Sequence, residues 1–226
     1  MPKSALLTEF TQKFKPQTDL PSKGIGIECE FPIVDQVGNV VSLEIIHRLF
    51  EYLAKEGFEL KVDEYTHQPI AATRVNLSSA LCFDYGEDTI TTDLGFSTLE
   101  IALAPQTNLW KTQAALNELL FLLIPFFDQY QCRILGYGIQ PVTPPSKDLL
   151  APHKRYNFIN RVSGNTLVPK LAGKDFHLLT VSASNQCHIE VSQEEAIRAF
   201  NVLNGLSGLQ IALQANSPIW LSLIHI

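Results

Sequence analysis

Gly24-Ile25-Gly26-Ile27-Glu28-Cys29-Glu30-Phe31-Pro32-Ile33 carries two carboxylates inside an otherwise apolar run. A run of this kind reads as a β-strand, whose side chains alternate between two faces. Glu28 and Glu30 therefore share a face, about 7 Å apart along the backbone rise. Two acids flanked by Ile25, Ile27, Phe31 and Ile33 do not read as a solvated surface. Carboxylates are seldom buried without a counter-charge, and a divalent cation is the first candidate for it.

The chain has 226 residues, room for one large domain or two small ones. A composition of 46% hydrophobic and 18% charged residues is globular, with ample material for a core. The net charge of −6 argues against a nucleic-acid partner, which needs clustered Lys and Arg. Cys29, Cys82, Cys132 and Cys187 show no C-x-x-C spacing, so neither a zinc site nor a disulfide framework is indicated. Cys29 and Cys187 fall in strands expected to be buried, where free Cys serves as a small apolar filler. A reduced, cytoplasmic setting fits. No run reaches the roughly 18 apolar residues of a membrane span. Leu116 to Phe127, interrupted by Asn117, Glu118 and Pro125, reads as a buried amphipathic helix. A soluble protein without membrane contact is expected.

Residues 1–22 read as an N-terminal arm with a short helix over Leu6–Phe14, ended by Pro16 and Pro21. The strand over 24–34 turns at Gly38-Asn39. Ser42 is placed to cap a helix through Lys55, in which Leu43, Ile46, Leu49, Phe50 and Leu53 form one stripe. Gly57 closes it. Short strands are expected over Glu59–Val62, Ala71–Leu77, Leu81–Asp84, Thr89–Asp93 and Ser97–Ala104, with turns at Gly86 and Gly95. This is an antiparallel meander. Asn108 is placed to cap a long helix over Leu109–Tyr130, followed by a strand over Arg133–Gln140 and a basic connection over 146–174. Strands are expected again over Leu178–Ser184 and Gln186–Val191. Ser192-Gln193-Glu194-Glu195 is a capping box that opens one helix running through Ala215, with Gly205 and Gly208 allowing close packing. The last six residues, Leu221-Ser222-Leu223-Ile224-His225-Ile226, match one reading frame of a sequencing-library transposon adapter. They read as a non-native tail, a genuine apolar terminus being the alternative. The expected organisation is an arm over 1–22, the N-terminal part of one catalytic domain over 23–220, and a tail over 221–226.

Five side chains form the candidate constellation. Glu28 and Glu30 lie on the first strand, and Asp93 and Glu100 flank a turn that can fold them together. In Gln186-Cys187-His188-Ile189-Glu190, alternation puts His188 on one face with Gln186 and Glu190. Carboxylates with one imidazole and no thiolate pattern favour Mg²⁺ or Mn²⁺. Acids sufficient for two ions hint at phosphoryl transfer, and the basic segment at Lys154-Arg155-Tyr156 offers a phosphate or carboxylate contact. Each piece also has a plainer reading. An E-x-E strand can be a salt-bridged edge, Asp93 a turn residue, His188 a hydrogen-bonded core histidine, and Arg155 a surface arginine.

At these same residues the sequence resembles the glutamate–cysteine ligase family, in its second group with related carboxylate–amine ligases. Gly26-Ile27-Glu28-Cys29-Glu30-Phe31-Pro32 is similar to the family's G-[IM]-E-x-E-[FK] strand, and Asp93–Glu100 to its acidic hairpin, commonly E-P-G-G-Q-x-E. Lys154-Arg155-Tyr156 is similar to its [KR]-x-R-Y neighbourhood, Gln186–Glu190 to its Q-x-[HN]-x-[DE] strand, and Ala215-Asn216-Ser217-Pro218 to its A-N-S-P helix end. The resemblance implies an α+β fold like that of glutamine synthetase: a curved antiparallel β-sheet with helices packed on its outer face. It implies metal ligands at Glu28, Glu30, Asp93, Glu100 and His188 for two or more Mg²⁺ ions, Mn²⁺ being an alternative. It implies nucleotide binding at Lys154 and Arg155, with Arg155 also touching reacting groups. The implied reaction uses ATP to phosphorylate the γ-carboxylate of glutamate, which the amine of cysteine then attacks, the first step of glutathione synthesis.

The resemblance has two departures. Asp93-Leu94-Gly95-Phe96-Ser97 stands where the larger subgroup has Glu-Pro-Gly-Gly-Gln, which leaves open another amine or acid substrate. Family members are also roughly twice as long, so a chain ending at Ile226 is expected to lack part of the site, to be inactive by itself, and to expose unpaired sheet edges. A catalytically silent ligase-like binding domain is the remaining alternative, although all four acidic positions keep their acids.

Overall fold

Alternation along the opening strand is what organises the molecule. The structure, a computed structural model, describes residues 23–163, 176–215, 219–220 and 223–224, with 4–5 and 8–9 near the N-terminus. The helix expected over Leu6–Phe14 and the A-N-S-P segment lie almost wholly outside the described residues. The fold is α+β. Strand β1 (Ile25–Val34) is followed by α1 (Leu43–Lys55), β2 (Glu59–Val62), β3 (Pro69–Val75), the single turn α2 (Leu77–Ala80), β4 (Glu87–Thr92) and β5 (Thr98–Ala102). Helix α3 (Leu109–Gln129), β6 (Arg133–Ile134), α4 (Lys154–Ser163), β7 (Asn185–Ile189), α5 (Ala196–Gly205) and α6 (Ser207–Gln214) complete the main body. A separate two-residue pair joins Ile219–Trp220 to Leu223–Ile224.

The seven-stranded sheet is antiparallel throughout, in the order β2-β3-β4-β5-β1-β6, with β7 also on β1. β5 occupies one edge of β1, and the other edge is shared: β6 pairs with Ile33 and Val34, β7 with Ile25 to Cys29. Across one row the register runs Cys29, Ile101, Ile90, Ala72, all buried. Helix α1 lays Ile46, Leu49, Phe50 and Leu53 on that face, and α3 adds Leu119, Leu123, Phe126 and Phe127. Fully burying each such side chain contributes about 1.5–3 kcal/mol, which fixes both helices to one side. The neighbouring row, carrying the acids, is left on the other side.

Local signals explain the ends. Asn108 accepts the Lys111 N–H at 3.1 Å and caps α3. Gly57 takes φ +89° after α1, a left-handed conformation that glycine adopts without steric cost. Ser192 and Glu195 form the reciprocal capping-box bonds, at 3.1 and 3.2 Å.

Several expectations are corrected. Leu81–Asp84 is not a strand: Asn76 accepts N–H bonds from Ser78 and Ser79 and winds the chain into α2. Arg133–Gln140 pairs with β1 over only two residues, because β7 takes the remaining edge. Gln140 N–H then donates to Val181 O at 2.8 Å instead. Phe176–Thr180 is a 3₁₀ turn where a strand was expected, and the basic connection holds α4. The last helix breaks between α5 and α6 at Gly205, a poor helix former. Neither Gly205 nor Gly208 meets anything within 4 Å, so they do not mediate close packing. Cys187 is exposed, like the rest of β7. Among the described residues, no helix is long and apolar enough to cross a membrane.

Candidate metal centre

The β1–β5 ladder sets Glu30 directly opposite Glu100. Both lie on the face away from α1 and α3, because Cys29 and Ile101 next to them point into the core. Asp93 follows β4, and its N–H donates to Thr98 O at 3.0 Å, closing the turn that brings it back over the same face. Carboxylate oxygens of Glu30, Asp93 and Glu100 all lie within 4.8 Å of one another.

The tip of this hairpin is anchored from behind. Leu94, Phe96 and Ser97 are buried, and the Gln140 side-chain amide donates to Ser97 Oγ at 3.2 Å. Gly95 lies against the backbone of Thr180: a Cβ there would sit 1.9 Å from Thr180 O. Gly95→Ala is therefore expected to lower stability by about 1–3 kcal/mol, the usual cost of overpacking. Denaturant unfolding of the variant checks this.

Burial is the largest influence on Glu100, with Glu28, Asp93 and Glu30 adding repulsion, and its carboxyl is pushed up to about 7. Glu30 and Asp93 are raised too, again mainly by burial. Ser184 offsets part of this at Glu30, donating its N–H at 2.7 Å and its hydroxyl at 3.0 Å. Three such carboxylates on one spot want a positive charge. An all-oxygen donor set at this spacing fits a hard divalent cation.

The other sequence candidates gather around this triad. His188, across from Gly26, turns its Nε2 to Glu28 Oε1 at 3.1 Å. A groove of about 780 Å³, lined in part by Gly26, Glu28, Tyr85, His188 and Glu190, opens beside that pair. Arg155, in the first turn of α4, lies close enough to pull the Asp93 and Glu100 carboxyls down. Lys154 does not join it, since its ammonium lies over the Tyr65 ring, 5.5 Å from the centroid. Tyr156 faces the same carboxylates, and burial first, then Asp93 and Glu100, pushes its phenol up to about 12. It stays a neutral hydroxyl at physiological pH.

Sequence reasoning missed Ser184 and Tyr156 as neighbours of the acids. Ser184 has no signal of its own, for it reaches Glu30 only because β7 pairs with β1. Tyr156 is recognisable only as the residue after Arg155.

A comparison with curated proteins finds no match. The family model of glutamate-cysteine ligase family 2 matches residues 24–222, a span that contains the acid triad, the Glu28–His188 pair and Arg155. With nearly the whole chain matched, the protein belongs to glutamate-cysteine ligase family 2, a family of carboxylate–amine ligases.

Proposed function

We propose that this protein is an ATP-dependent ligase that joins the γ-carboxylate of glutamate to the amine of cysteine, in the cytoplasm. The convergence of Glu30, Asp93 and Glu100 within 4.8 Å, on the sheet face away from α1 and α3, supports this reading most. In it, those three residues hold one Mg²⁺ or Mn²⁺ ion, and Glu28 with His188 holds a second. Such ions neutralise charge on phosphoryl oxygens during transfer. Arg155 is assigned to a nucleotide phosphate or a substrate carboxylate, which its planar fork can grip with two parallel bonds. Lys154 would have to swing off Tyr65 to join it. The groove beside Glu28 and His188 is large enough for a small substrate.

In this reading the γ-phosphoryl group of ATP passes to the γ-carboxylate of glutamate, and ADP leaves. The amine then attacks the acyl carbon, phosphate departs and the amide forms. Of the hairpin residues that depart from the family pattern, Leu94, Phe96 and Ser97 are buried, and Phe96 packs in the hydrophobic core.

The test is ADP release by the complete gene product with Mg²⁺ and ATP. Release is expected with glutamate plus cysteine, together with a γ-glutamyl dipeptide. If ADP forms instead only with another amine, the cysteine assignment falls. No glutamate-dependent release with any amine overturns the reading.

A further inference from the structure

Arg155 and Tyr156 sit in the first turn of α4, and the β2–β3 connection holds that turn from outside. Asp63 is only 5% exposed and uses both carboxylate oxygens. Its Oδ1 accepts the N–H groups of Tyr65 and Thr66 at 2.9 and 2.8 Å, while its Oδ2 accepts the Lys154 N–H at 3.1 Å. Helix-start N–H groups lack partners within the helix. Asp63 supplies one of them from 91 positions upstream. Thr66 donates its hydroxyl to Pro152 O at 2.9 Å, and the Tyr65 ring lies under Lys154. His153 Nδ1 accepts the Arg155 N–H at 2.9 Å and lies 3.5 Å from Asp63 Oδ2. The N–H groups of Thr66, Lys154 and Tyr65, Thr66 foremost, hold the Asp63 carboxyl down to about 2, so it is ionised at neutral pH.

We propose that Asp63 is a positioning residue: by fixing the first turn of α4 from the β2–β3 connection, it holds Arg155 on the side of the acid triad. The inference rests on the ligase reading for what Arg155 does, but not for how it is held. A buried carboxylate that ties two distant segments is otherwise costly to keep. The bond it makes lies one residue from the only arginine that acts on the acid triad among the described residues.

A double-mutant cycle on the complete gene product tests it. Asp63→Asn puts an amide where one oxygen was, so one of its N–H acceptors is lost in either orientation. With folding checked by thermal melts, Asp63→Asn is expected to cost about 10- to 100-fold in kcat/KM for ATP, the scale of a misplaced binding group. Arg155→Ala is expected to cost at least as much, and the double variant no more than Arg155→Ala alone. Losses that multiply, or an Asp63→Asn enzyme equal to wild type, overturn the proposal. If Arg155→Ala proves harmless, the ligase role of Arg155 fails, and amide exchange then decides how the turn is held. Exchange at residues 154–158 should quicken at least 10-fold in Asp63→Asn with α1 unchanged, and equal exchange overturns the proposal. Should Asp63→Asn fail to melt cooperatively, Thr66→Val, which removes the bond to Pro152, carries the same cycle and exchange measurement.

Discussion

Glu100→Ala is expected to reduce ADP formation by at least 10²–10³-fold, the scale on which losing a positioned charge-stabilising group acts. The reason lies in its surroundings. Glu100 faces Glu30 across the ladder and has Asp93 within 4.8 Å, so it is central to the only three-acid group of this kind among the described residues. Mn²⁺ affinity, read by calorimetry without any substrate, should fall by more than the 10- to 100-fold typical of changes behind metal ligands. Glu100→Gln should behave the same way, because it keeps the shape and removes the charge. Glu44→Ala is the control. Its carboxylate makes only an exposed i,i+4 pair with Arg48, at 2.6 Å, and pairs of that kind contribute little. A Glu100→Ala protein that binds Mn²⁺ like wild type would remove the metal assignment, whatever its activity.

Much of this site was legible because β-structure has a period of two. Placing Glu28 and Glu30 on one face needed nothing beyond the strand assignment. The short turn between Asp93 and Glu100 predicted that these two acids approach one another, but not that β5 sets Glu100 opposite Glu30. What alternation cannot tell is whether a face is covered. Cys187 sits in a strand expected to be buried, yet β7 lies at the sheet edge and exposes it. Nor does local sequence reveal that one edge of β1 is divided between β6 and β7. That division shortens the strand expected over Arg133–Gln140 and delivers Ser184 to Glu30, 154 residues away. Asp63 had a faint local signal, since Asp63-Glu64-Tyr65-Thr66 is a sequence able to form an Asx turn. Its bond to Lys154 depends on tertiary structure alone.

Stripped of divalent ions by a chelator, the protein should lose stability as pH rises from about 5 to 8. The sign follows from Glu100. Its folded carboxyl titrates at about 7, well above the ordinary 4.5 it has in an unfolded chain. Between those values the folded state binds more protons than the unfolded one, and under linkage stability then falls with rising pH. Glu30 and Asp93 are also raised, so their contributions carry the same sign. Below the window the Glu100 carboxyl is neutral and its share of the repulsion is gone. Above it, among the described residues, Arg155 and hydrogen bonds such as those from Ser184 are what offset mutual repulsion in a half-buried setting. A bound cation reverses the balance, since it favours the ionised carboxylates that a proton would otherwise neutralise. Adding Mn²⁺ at pH 8 should therefore raise the melting temperature, while the same addition at pH 5 should do little. Glu100→Gln cannot titrate at this position, so its chelated form should show a flatter pH profile and a smaller response to Mn²⁺. The measurement is denaturant unfolding across pH 5–8 for both proteins, with chelator and with Mn²⁺. A chelated wild-type profile no steeper than that of Glu100→Gln would mean that the three acids do not repel one another as their geometry implies. The opening strand would then need another account of why it carries Glu28 and Glu30 on one face.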